Sequence, residues 1–254
     1  MSKKRFSAVI MAAGKGKRMD SDLPKVMHQL AGRPLIDWVV DSALAAHPDK
    51  VIAIVGHGRE LVMEELNGWV EFAVQEEQLG TGHAVQHAEP LLIGYDGDVL
   101  ILSGDVPLLR TETIEAMFEA HVSSRNDCTV MTCIFEDASG YGRILRAGDS
   151  SVEGIVEHKD ANPEQLKIKE INTGIYVVDA EKLFDSLMSI RNENAQGEYY
   201  LTDIIGDFVK RGWKVGAFIV EDPLEITGIN SKEQLQALEE EFLRRNPDLK
   251  VEEQ

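Results

Sequence analysis

Between residues 6 and 122, short unbroken apolar runs alternate four times with segments of helical period, and this rhythm limits the chain to very few architectures. Residues 6–13, 51–55, 70–75 and 98–103 read as strands, and residues 34–44, 59–67, 82–92 and 111–122 as helices. Pro34 stands at a favoured first-turn position. Strands without polar alternation are buried on both faces, which calls for a mostly parallel sheet flanked by helices on either side. The expected class is α/β.

Beyond residue 125 the strands crowd together, at 128–135, 143–145, 151–158 and 169–178, with Gly140-Tyr-Gly142 and Gly148-Asp149 as turn signals. Helices follow over about 180–190 and 202–211, then a strand over 214–220. No Pro/Ser/Gly linker separates this β-rich, substrate-facing portion from the first half, so residues 1–230 read as one unit. Residues 231–254 read as a C-terminal helix and charged tail: Ser231-Lys-Glu-Gln234 matches a capping box, Leu235, Leu238 and Phe242 keep helical spacing, and Pro247 ends the element. Cys128 and Cys133 lie on one strand about 16 Å apart and on opposite faces, so they are expected to be reduced thiols. No apolar stretch is long enough for a membrane helix and the N-terminus has no signal-peptide core, which makes the expectation cytoplasmic. Trp38, Trp69 and Trp213 read as packing residues, and Glu239-Glu-Glu241 as a solvated helix face.

Charge is unevenly spread. The whole chain carries 26 Lys+Arg against 44 Asp+Glu, a net −18. General binding to nucleic acid or anionic membranes is therefore not expected. Yet residues 1–33 hold eight basic and two acidic side chains. Lys3, Lys4 and Arg5 read as a solvated tail, whereas Lys15, Lys17, Arg18 and Lys25 surround glycines after a strand and suggest a local anion site.

The loop Ala12-Ala13-Gly14-Lys15-Gly16-Lys17-Arg18-Met19 is neither a Walker loop nor the dinucleotide fingerprint, since Met19 stands where a third glycine would be. Glycines let backbone N–H groups approach phosphate oxygens, and Arg18 and Lys25 supply neutralising charge. A tight strand–helix turn with solvated lysines is the alternative. At the end of the fourth strand, Gly104-Asp105-Val-Pro107 puts a carboxylate where α/β sheets gather ligands. Spacing alone leaves Asp105 open between a Mg²⁺ ligand and a turn cap. His83 reads as a structural or a catalytic histidine.

Ser21-Asp-Leu-Pro-Lys25, Gln75-Glu-Glu-Gln-Leu-Gly80-Thr81-Gly-His-Ala84, Gly104-Asp105-Val-Pro107, Gly140-Tyr-Gly142-Arg-Ile144, Val156-Glu157-His-Lys-Asp160, Glu170-Ile-Asn172-Thr-Gly174 and Asn194-Ala-Gln-Gly-Glu-Tyr-Tyr-Leu-Thr-Asp203 occur in this order. Together they resemble the uridyltransferase domain of the bacterial bifunctional N-acetylglucosamine-1-phosphate uridyltransferase/glucosamine-1-phosphate acetyltransferases, a branch of the sugar-nucleotide pyrophosphorylases with a Rossmann-like fold. The resemblance runs from about residue 6 to 245. It implies that Ala12, Ala13 and Gly14 contact the nucleotide and that Gln75, Gly80 and Thr81 read the uracil. Arg18 and Lys25 would be catalytic, holding the triphosphate and departing pyrophosphate. Gly142, Glu157 and Asn172 would meet the sugar, Gly104 would be a further substrate-binding residue, and Asp105 with Asn230 would bind Mg²⁺.

The implied reaction is UTP plus N-acetyl-α-D-glucosamine 1-phosphate to UDP-N-acetylglucosamine plus diphosphate, by direct in-line displacement. No general base is needed, because a phosphate monoester's second pKa is about 6. Three departures matter. Lys17 replaces a usual Thr, Ser103 replaces a frequent Tyr near the sugar, and no hexapeptide repeat of the acetyltransferase half appears, so neither acetyl transfer nor the trimer built by that half is expected. A monomer or weak homo-oligomer is expected instead. The alternatives are a transferase for another sugar 1-phosphate or for dTTP, and a non-catalytic nucleotide-sugar sensor; retention of Lys25, Arg18 and Asp105 weighs against the sensor.

Overall fold

The apolar runs at 6–12, 51–55 and 98–103 become strands buried from both sides, and the run at 71–74 becomes a half-exposed strand at the sheet edge. The computed structural model describes residues 5–247. Its strands are β1 (Phe6–Ala12), β2 (Gln29–Leu30), β3 (Arg33–Pro34), β4 (Val51–Val55), β5 (Glu71–Val74), β6 (Asp98–Ser103), β7 (Cys128–Ile134), β8 (Arg143–Arg146), β9 (Val152–Val156), β10 (Glu170–Asp179) and β11 (Val215–Val220). The helices are α1 (Leu35–Ala45), α2 (Arg59–Glu65), α3 (Thr81–Gln86), α4 (Thr111–Ser124), α5 (Ala180–Leu187), α6 (Asp203–Lys210) and α7 (Lys232–Arg245). None of the described helices is long and apolar enough to cross a membrane.

The α/β expectation holds. The main sheet runs β11-β7-β10-β6-β1-β4-β5, with β8 paired to β10 and β9 to β8, while β2 and β3 form a separate hairpin. β1 is parallel to β4 and β6, and β4 to β5. The crowded second half supplies the antiparallel part, with β10 inserted between β6 and β7. From β1 the chain steps outward to β4 and β5, then crosses to β6 on the other side of β1. That reversal is a topological switch point, and ligands of open α/β sheets lie beyond the strand ends there.

Alternate side chains of the strands feed two cores. Ala8, Ile10 and Ala12 pack with Ile36 and Val40 of α1, Val62 of α2 and Ile114 of α4. Val9, Ile52 and Ile54 pack with Val85 of α3, Leu183 of α5 and Phe208 of α6. Cys128 belongs to the second core and Cys133 to the first, both as free thiols, as their spacing on one strand requires. A third cluster joins Met19, Leu30 and Leu35 to Ile229 and Leu238, with Trp38 and Phe242 against it. Met19 is fully buried there and ties the glycine loop to α7.

Some local readings need correction. Pro34 is not in the first turn of α1; it caps the helix and pairs in β3, because its φ of −51° with ψ of 142° is extended. α3 ends at Gln86, and Glu89–Leu91 is a separate 3-10 turn around Pro90. Trp38 and Trp213 pack on Phe242 and Phe208, but Trp69, just after the left-handed Gly68, is 68% exposed. Glu239 is not simply solvated, since its carboxylate accepts the Ala31 N–H at 2.7 Å. Lys3, Lys4 and the tail beyond Pro247 lie outside the described residues.

Candidate active site

Two strand ends open the cleft. β1 leads into Ala13-Gly14-Lys15-Gly16, and β6 leads into Gly104-Asp105. Gly16 has φ +59°, and a Cβ placed on it would stand 2.7 Å from Lys25 Cβ, so only glycine lets the loop fold over the lysine. Lys25 forms an ion pair with Asp105 Oδ2, and its Nζ also donates to Asn230 Oδ1 at 3.2 Å. Asp105 is held in turn by its backbone, whose carbonyl accepts the Ile229 N–H at 3.0 Å. Lys15 and Arg18 are exposed and enter no ion pair among the described residues. A partly buried Lys–Asp–Asn centre therefore shares the cleft with the exposed Lys15.

The cleft is about 640 Å³ and is lined by Ala12, Ala13, Gly14, Lys25, Gln75, Gly80, Thr81 and Asp105. Gln75 follows β5 and is 3% exposed; its Nε2 lies 3.2 Å from the Gly80 carbonyl and 3.0 Å from His83 Nδ1. Gly80 has φ +121°, and a Cβ there would meet the Tyr199 carbonyl at 2.5 Å. The reason is a ladder between the two loops: Gly82 N–H donates to Tyr199 O, and Tyr199 N–H donates to Leu79 O, each at 2.8 Å. Thr81 Oγ1 accepts the Leu201 N–H at 3.0 Å, which occupies part of its hydrogen-bonding capacity.

Gly142, Glu157 and Asn172 form a neighbouring cluster. Asn172 N–H donates to Gly142 O at 2.9 Å, and a Cβ on Gly142 would lie 3.4 Å from Glu157 Oε2. Thr202 Oγ1 donates to Glu157 Oε1 at 3.1 Å. Burial pushes the Glu157 carboxyl above its ordinary range, with Asp160, Asp203 and Glu198 adding to the shift and the Thr202 hydroxyl opposing it. The register of β10 against β7 breaks between Asn172 and Tyr176, and Asn172 Oδ1 accepts from Gly174 N–H and Tyr176 O–H. Such irregularities re-aim side chains at strand ends. Ser103 links this cluster to the cleft, since it lines the cleft and its Oγ stands 3.1 Å from where Gly174 would carry a Cβ.

Of the residues that the resemblance assigns to the site, eight line one cleft, together with Lys15, Gly16 and Ser103. Asn230 reaches the same centre through Lys25; Gly142, Glu157 and Asn172 adjoin it; Gly104 packs under it, with no room for a side chain between Ile36 and the Met11 carbonyl. Arg18 stays outside on the exposed loop. Sequence alone gives no sign of the bond from Thr202 to Glu157 or of the link from Gln75 to His83, whereas Gly16 stands among the glycines of the basic loop and only its closeness to Lys25 needs the fold. Among the described residues no group of three or more His, Cys, Asp or Glu side chains could hold a metal. Asp105 and Asn230 nevertheless already share one cation, the Lys25 ammonium, through a carboxylate and an amide oxygen. These are hard donors of the type Mg²⁺ accepts when phosphates and water complete its shell, so the pair fits that ion.

Residues 8–196 match the family model described as the MobA-like NTP transferase domain. The chain is 50% identical over 238 residues to the Bifunctional protein GlmU of Caldanaerobacter subterraneus subsp. tengcongensis, and 48% identical over 238 residues to that of Streptococcus suis. Each alignment covers 94% of this chain and 52% of the relative, so the chain spans about half the length of the curated relatives it matches. A solved structure of UDP-glucose pyrophosphorylase complexed with UDP-glucose superposes with a TM-score of 0.75, covering 95% of this chain and 99% of that one. At 18% identity the likeness is one of fold.

Proposed function

The chain belongs to the MobA-like NTP transferase domain family, and we propose that it transfers the uridylyl group of UTP to N-acetyl-α-D-glucosamine 1-phosphate, releasing diphosphate. The observation that carries this reading is the Lys25–Asp105–Asn230 centre at the β1/β6 switch point, beside an open glycine loop with the exposed Lys15. The motif resemblance and the curated bifunctional relatives narrow the nucleotide and the sugar.

The nucleophile is a phosphate oxygen already ionised at neutral pH, so the chain has no proton to remove. Its task is to bring two polyanions into line and to stabilise the charge that builds up at the α-phosphorus. Gly14 and Gly16 leave backbone N–H groups accessible, Lys15 and Arg18 offset the triphosphate and departing diphosphate, and Lys25 reaches the reacting centre from the loop it is packed under. Asp105 and Asn230 would hold Mg²⁺, which when bound supplies charge neutralisation between the phosphates. Glu157 and Asn172 would orient the sugar through its hydroxyl and amide groups.

A second reading, a different sugar 1-phosphate with the same chemistry, is favoured by Ser103, whose small side chain lines the cleft beside Gly174. Diphosphate release with UTP, Mg²⁺ and N-acetylglucosamine 1-phosphate, run beside the muramic, galactosamine and glucose phosphates, separates the two. Preference for the first supports the assignment. Silence there with turnover of another sugar keeps the chemistry and replaces the substrate, and silence throughout favours a sensor. Asp105→Ala is expected to abolish Mg²⁺-dependent turnover with an unchanged circular dichroism spectrum; near-normal turnover would remove Asp105 from the centre.

A further inference from the structure

Gln75 is the most buried polar side chain lining the cleft, and what it offers a ligand depends on which way its amide faces. One terminal atom lies 3.2 Å from the Gly80 carbonyl oxygen, which can only accept, so that atom is the NH₂ nitrogen. The same nitrogen lies 3.0 Å from His83 Nδ1. Nδ1 must therefore accept, which puts the proton of the neutral imidazole on Nε2. Burial together with His87 lowers the His83 pKa, opposed by a hydrogen bond with the Glu77 backbone. His87 Nδ1 in turn donates to the His83 carbonyl at 2.8 Å and packs edge-on against its ring.

We propose that His83 is a positioning residue: by taking the second N–H of Gln75 it spends both amide hydrogens inside the protein and leaves only the amide oxygen for a base in the cleft. This rests on the reading that the cleft takes a nucleoside triphosphate. An oxygen at that place accepts from a ring nitrogen that carries hydrogen, as N3 of uracil or thymine does. It faces the bare N3 lone pair of cytosine with another lone pair. Selection between UTP and CTP thus depends on a side chain that itself does not line the cleft.

The test compares UTP and CTP as substrates for the wild type, His83→Ala, His83→Asn and Gln75→Ala, each checked for its thermal midpoint. The wild type is expected to prefer UTP. His83→Ala should reduce the ratio of kcat/KM for UTP over CTP about tenfold, roughly the net worth of one hydrogen bond, chiefly through the KM for UTP. His83→Asn should recover most of the ratio, because its amide oxygen can accept where Nδ1 did. In a Gln75→Ala background, His83→Ala should leave the ratio where it is. The ¹⁵N shifts of the His83 ring should report an unprotonated Nδ1 in the free protein. An unchanged ratio in folded His83→Ala, an equal loss of kcat for both nucleotides, or a protonated Nδ1 would overturn the proposal. A wild type that turns over neither nucleotide would refute the functional reading itself, whereas one that discriminates as well without His83 would refute this inference alone.

Discussion

Gly16 and Lys25 are coupled by space rather than by a bond. The left-handed backbone at Gly16 costs an alanine about 1–2 kcal/mol, and the added methyl would meet Lys25 Cβ at 2.7 Å. Lys25 has to yield, and with it the ammonium shared by Asp105 and Asn230. A displacement of about an ångström at a reacting centre is worth about a hundredfold in rate. Gly16→Ala should therefore lower turnover by about that factor while the melting temperature falls by only a few degrees, about 2–8 °C. Turnover within twofold of wild type would mean that Lys25 does not act from this position. The same separation explains why spacing alone left Asp105 undecided. Its partners Lys25 and Ile229 are 80 and 124 positions away along the chain, and a carboxylate followed by Val-Pro looks the same in sequence whether it caps a turn or meets a cation.

Among the elements, α1 carries a carboxyl whose ionisation opposes its packing. Asp37 lies in the first turn, where an acid is ordinarily favoured, but burial and Glu65 push its pKa up to about 6, with Arg33 opposing. The folded state thus holds this proton more tightly than the unfolded chain does. The resulting stability is full below the ordinary aspartate value of 3.8 and is lost as pH rises through about 6. Asp37→Asn should stabilise the protein at pH 8, by about 1 kcal/mol after solvent screening, and change little at pH 4. A gain of equal size at both pH values would contradict the burial argument. Helices and strands of this chain were legible because each apolar run ends at a glycine, proline or charged cluster and the periods differ cleanly. Their order in the sheet was not legible. β10 enters between β6 and β7 in the antiparallel sense, and no local pattern in residues 170–179 encodes neighbours that are 36–81 positions distant. The break near Asn172 has the same origin, and so does the bond that the fold makes between Thr202 and Glu157.

For the whole molecule, charge separates encounter from binding. The chain carries a net −18, while the cleft is lined by Lys15 and Lys25 and Arg18 stands on the exposed loop that leads out of it. A triphosphate approaching from a distance meets the repulsive field of the acidic body; within a few ångströms it meets the cations. The two ranges respond differently to salt, because the Debye length shrinks from about 30 Å at 0.01 M to about 8 Å at 0.15 M. Screening removes the long-range repulsion first and weakens the close contacts less. The association rate of UTP, followed by stopped-flow fluorescence, should therefore rise about two- to fivefold between 0.01 and 0.1 M salt before flattening, the reverse of electrostatic steering to a cationic surface. The dissociation rate should rise over the same range as the contacts to Lys15 and Arg18 are screened, so affinity changes less than either rate. An association rate that falls steadily with salt would mean that the basic loop governs the field well beyond the cleft. The acidic body would then have no part in setting how the substrate arrives.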